Sequence, residues 1–86
     1  MPQISRFFGI IIKMFFDDHN PPHFHAEYGE YKAEIGITDL NVLRGELPAR
    51  ALGLVIEWAL RHKSELLENW ERMENDKPFN SIAPLE

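Results

Sequence analysis

The residues best equipped for chemistry sit together in Asp17-Asp18-His19-Asn20-Pro21-Pro22-His23-Phe24-His25, which holds three of the four histidines of the chain. Imidazole can ligate a metal, carry a proton or hinge a hydrogen-bond network. Pro21-Pro22 bars Asn20 and Pro21 from the helical region, so this link is extended and stiff and fixes how His19 approaches His23. The sequence leaves open the cis or trans state of the Asn20–Pro21 and Pro21–Pro22 bonds. On a strand, His23 and His25 project from one face, ~6.6 Å apart along the backbone. Two imidazoles so placed can share a divalent metal ion, with a third ligand from Asp17, Asp18 or His19; the metal set expected is His19, His23 and His25. Glu34, opposite His25 in the hairpin derived below, would serve as ligand or outer partner. The same residues also make sense without a metal. A His25–Glu34 pair, His23 over a glycine and His19 at a turn are then local pairings. With the prolines, His19, Asn20, Pro21, Pro22, His23, Phe24, His25 and Glu34 make a rigid binding surface. This second reading leads, with no cofactor expected and a divalent metal as its alternative.

The elements that must carry these residues follow from periodicity. The even positions from Phe8 to Phe16 are all apolar, which predicts a strand over about 6–16. Gly29 at the first central position of Tyr28-Gly29-Glu30-Tyr31 suits a type II′ turn, which pairs strands over about 22–28 and 31–37. With a two-residue loop, Phe24 faces Ile35 and Ala26 faces Ala33 on an apolar side. On the other side His25 faces Glu34, His23 faces Gly36 and Glu27 faces Lys32. Thr38-Asp39-Leu40-Asn41 reads as a turn, and a short strand over about 42–46 follows, with a bulge or bend at Gly45. Pro48 opens a helix over about 48–74 whose apolar stripe includes Leu52, Val55, Ile56, Leu66, Trp70 and Met73. Trp58 falls nearer the flank, where with Leu54 it could anchor an interface or pack under the sheet edge. His62 is expected in solvent. Such a helix would run ~39 Å, long enough to overhang the sheet. The tail over 75–86 carries Phe79, Ile82 and Leu85, apolar enough to fold back or to dock onto another chain. The expected fold is α+β: one domain over 1–86, a small antiparallel sheet of three to four strands packed against one long C-terminal helix.

Composition narrows the function. With 44% hydrophobic residues the chain can bury a core, and with no cysteine it has neither disulfides nor thiolate metal sites. That suits a cytoplasmic setting. No apolar run is long enough to span a bilayer. The net charge is −5 and no segment concentrates Lys or Arg, so nucleic-acid binding by the isolated domain is disfavoured. No nucleophile elbow surrounds Ser5, Ser64 or Ser81, and no glycine-rich phosphate loop is present.

Three stretches carry a resemblance: Ile4-Ser5-Arg6-Phe7-Phe8-Gly9-Ile10-Ile11-Ile12, the run from Asp18 to Tyr28 around HNPPHFH, and Gly45-Glu46-Leu47-Pro48 before the tryptophan-bearing helix. Together they resemble a bacterial family known as domain of unknown function 4160. The resemblance implies a small stand-alone protein, often encoded beside another small domain in a toxin–antitoxin-like pair, and it carries over no catalytic residues. The expectation is therefore a partner-binding module, one component of such a pair, that meets a protein partner or itself. The competing expectation is a metal-dependent hydrolase or nuclease-like toxin that uses the histidine segment.

Overall fold

The computed structural model describes residues 3–86. Five strands run in the order β1 (Gln3–Phe7), β2 (Ile10–Lys13), β3 (His23–Tyr28), β4 (Tyr31–Gly36) and β5 (Val42–Gly45). Every neighbour in the sheet is also a neighbour in sequence, and all pairs are antiparallel. The helices α1 (Ala49–Arg61) and α2 (Lys63–Glu74) follow. The α+β class and the antiparallel sheet agree with the sequence; the counts of strands and helices do not.

The strand expected over 6–16 is a hairpin. Phe7 pairs with Ile10 across a two-residue turn in which Phe8 (φ 50°) and Gly9 (φ 79°) both have positive φ. Type I′ turns need that geometry, and glycine supplies it without strain. Phe8 hides the turn, because a phenylalanine inside an apolar run is a poor turn signal. The β3–β4 hairpin keeps the expected register, with His23 opposite Gly36, His25 opposite Glu34 and Tyr28 opposite Tyr31. Gly29 alone in its loop has positive φ (58°), as a type II′ turn requires.

The β4–β5 ladder is bulged. Glu34 pairs with Arg44 but Ile35 pairs with Val42, so Leu43 is the extra residue. Gly45 lies beyond it at φ 79°, where an added Cβ would meet the Lys32 carbonyl oxygen at 2.1 Å. The bend expected at Gly45 is thus a positive-φ exit from the strand, next to a bulge one register position away.

The single long helix is also corrected. At His62 the backbone leaves helical geometry (φ −123°, ψ 24°), and its N–H is shared between the carbonyls of Trp58 (3.1 Å) and Ala59 (3.2 Å). No proline or glycine marks the spot. The apolar stripe continues in phase across it, so periodicity carries no sign of the break. Val55, Ala59, Leu66, Trp70 and Met73 of the expected stripe are buried, while Leu60 and Leu67, which the same periodicity would include, are exposed and Trp58 is buried in their place. Ala51, Val55, Trp58 and Ala59 are buried on α1, whereas Leu60 is 64% exposed. Trp58 is at the centre of the core, between Phe7 (ring centroids 5.4 Å) and Phe24 (5.8 Å). His62 is half-buried against the same indole, at 5.6 Å, rather than in solvent.

The tail folds back on its own chain. Ile82 N–H donates to the Ile4 carbonyl at 2.8 Å, and Trp58 Nε1–H donates to the Ala83 carbonyl at 2.8 Å. Fully buried Asn69 donates to the Asn80 carbonyl (2.9 Å) and accepts from the Asn80 N–H (2.8 Å). Ile82 and Leu85 are buried, and Phe79 stacks on Phe16 at 4.7 Å. Among the described residues, no helix is long and apolar enough to cross a membrane.

Candidate metal centre on the polar sheet face

Antiparallel pairing places residues that face each other on one side of the sheet. Lys13 pairs with His25, His25 with Glu34, and Glu34 with Arg44. These four form a polar row across β2, β3, β4 and β5, on the face away from buried Phe24, Ala26, Ala33 and Ile35. The Leu43 bulge completes the row: in a regular ladder running on from Val42, Leu43 would stand opposite Glu34.

His23 shares this face by alternation but is only 8% exposed in its side chain. It lies against the Trp70 indole of α2, ring centroids 5.4 Å apart. Its Nδ1–H donates to the Pro21 carbonyl at 2.9 Å, which fixes the proton on that nitrogen. The peptide between Asn20 and Pro21 is cis. With Nδ1 spoken for, Nε2 points at Asp18 Oδ2 (3.3 Å) and Glu34 Oε1 (3.6 Å). A nitrogen lone pair and two carboxylate oxygens turned toward one another are a set of donors that a metal ion can bridge.

His25 completes the cluster. Its Nε2 lies 3.1 Å from the same Asp18 oxygen, and its ring is held by the edge of Phe15 at 4.7 Å. One ligand atom each from Asp18, His23 and His25 falls within 4.8 Å of the others. Metal–ligand bonds of about 2.0–2.1 Å in a tetrahedron put neighbouring donors about 3.3 Å apart. The two distances from Asp18 match that spacing.

Other expected site residues fall differently. His19 and Asn20 are exposed and line the depression beside the cluster, together with Pro21, Glu34, Leu43 and Arg44. His19 is not among the three whose donor atoms converge; Asp18 holds that position. Phe24 does not belong to an accessible surface, because it is fully buried on the opposite face of β3. Glu34 pairs with His25 in register, yet its carboxylate reaches His23 and, at 3.9 Å, Arg44 Nε. Sequence reasoning missed Trp70 as a wall of the site, since no local signal brings α2 to β3. It also missed Arg44, whose direction depends on the bulge.

The structure thus defines a five-stranded α+β domain with a candidate two-histidine, one-carboxylate site on its polar face. A family model described as a domain of unknown function (DUF4160) matches residues 9–71, and the chain belongs to that family. The matched stretch includes the whole histidine segment. No curated protein and no solved structure matched the chain.

Proposed function

We propose that the domain binds a first-row divalent metal ion, zinc foremost, through Asp18, His23 and His25. One observation carries the reading: buried His23, its Nδ1 proton committed to Pro21, turns Nε2 onto the Asp18 oxygen that His25 also meets. Two imidazoles and one carboxylate suit borderline ions such as zinc and iron, and the set leaves coordination positions for water or another ligand. The Pro21 carbonyl is the kind of outer contact that orients a ligating histidine and raises its basicity. With open positions, the alternative of a metal-dependent hydrolase gains a place for its chemistry.

Tag-free protein, stripped and titrated with zinc against a chromogenic chelator, should take up one ion per chain. His25→Ala and Asp18→Asn should each weaken binding by about a hundredfold or more, exceeding the usual effect of an outer-shell change. Both residues are partly exposed, so the variants should remain folded. Uptake that these variants leave unchanged would sink the proposal.

A second reading is partner binding by a cytoplasmic bacterial protein, as one component of a toxin–antitoxin-like gene pair. The observation in its favour is the free edge of the sheet. Among the described residues β5 has a neighbour on one side alone, and Val42 (40%) and Leu43 (44%) on it are exposed. A partner could add a strand there beside the metal site. Co-purification with the neighbouring gene product tests it, and a complex that survives Val42→Lys with Leu43→Lys would exclude this edge.

A further inference from the structure

Resting on the metal reading, we infer that the open side of the ion takes a phosphate group, with Arg44 as its second anchor. The three protein donors approach from β3 and the loop before it. The remaining side opens onto a depression of about 380 Å³ lined by His19, Asn20, Leu43 and Arg44. A divalent ion outweighs Asp18, while Glu34 and Arg44 cancel each other. With neutral imidazoles, the loaded site therefore keeps one excess positive charge, although the chain as a whole carries −5. Such a local excess favours an anion at the open coordination position.

Arg44 narrows the class of anion. Its side chain is 82% exposed, and among the described residues its one ion pair is with Glu34, through Nε at 3.9 Å. The outer nitrogens of the guanidinium are thus available as a planar pair of donors beside the ion. Guanidinium binds carboxylate and phosphate in a two-pronged fashion. Here the metal needs one ligand oxygen and the arginine two more. A phosphate group gives each of these three contacts its own oxygen, whereas a carboxylate must share one oxygen between the metal and the guanidinium. Glu34 is a positioning residue in this arrangement: its carboxylate touches His23 on one side and Arg44 on the other, and so keeps the guanidinium at the rim of the site.

The test uses the full chain loaded with cobalt(II), whose visible absorption reports its ligands. Inorganic phosphate should change that spectrum in a saturable way, and acetate should do so much more weakly. Arg44→Gln should bind cobalt as the parent does but lose about tenfold or more in phosphate affinity. Arg44→Lys should recover only part of it, since a point charge replaces a fork. A cobalt-loaded protein that ignores phosphate, prefers acetate, or responds to phosphate equally well as Arg44→Gln overturns this inference and leaves the metal reading standing. Failure to bind cobalt at all overturns both.

Discussion

The Trp70 indole lies against the His23 imidazole with ring centroids 5.4 Å apart, so the second helix forms one wall of the candidate metal site. His23 is consequently confined from two sides, by the indole and by the Pro21 carbonyl. A ligand that cannot swing away loses little rotamer freedom when it binds.

That contact makes Trp70 a reporter. Copper(II) bound at Asp18, His23 and His25 should quench tryptophan fluorescence strongly. The chain has two tryptophans, and Trp58 packs deep in the core against Phe7 and Phe24. In Trp70→Phe most of the quench should vanish while copper uptake stays at one per chain. An equally deep quench in that variant would place the ion elsewhere.

Phe8 offers a test of strain. It occupies the left-handed region (φ 50°) and the residue is 61% exposed, so it contributes limited burial in return for an unfavourable backbone. Left-handed geometry costs a residue with a Cβ about 1–2 kcal/mol, and Asn-Gly is the preferred pair for this turn. Phe8→Asn should therefore raise stability by about 1 kcal/mol in urea unfolding. A midpoint that stays level or falls would show that the Phe8 side chain compensates for its backbone.

Trp58 ties the tail to the core through its hydrogen bond to the Ala83 carbonyl. Trp58→Phe removes that donor and some ring volume, and should cost about 2 kcal/mol. The signature is local as well as global: the Ile82 amide, bonded to Ile4, should exchange with deuterium well before the core strands do. Unaltered protection at Ile82 would mean that the tail is held without Trp58.

Legibility in the sequence followed how local each signal was. The β3–β4 register could be read because alternation and the Gly29 turn constrain the same few residues and agree. With it came the placement of His23 and His25 on the polar face. The Phe8-Gly9 turn was obscured because Phe8 belongs to the apolar run by type and to the turn by conformation. The break at His62 has no breaker residue, and the stripe stays in phase through it. That Asp18 rather than His19 converges on His23 and His25 is set by the path of the loop between β2 and β3, and the Trp70 contact by how α2 returns to β3. Neither is encoded by spacing, because each depends on where distant segments come to rest.

The extra residue at Leu43 has a consequence in parity. Val42 and Arg44 are an even number of residues apart, so an unbroken strand would send both side chains the same way. The bulge makes the count odd in space: Val42 stands across from Ile35 and Arg44 across from Glu34, on opposite faces. Deleting Leu43 would give the same two pairings by an ordinary ladder, whereas inserting a residue beside it in an unbroken ladder would leave the guanidinium on the polar face but carry it from Glu34 to a place opposite Lys32. The strand can therefore shorten by one without rewiring the row, but it cannot lengthen by one.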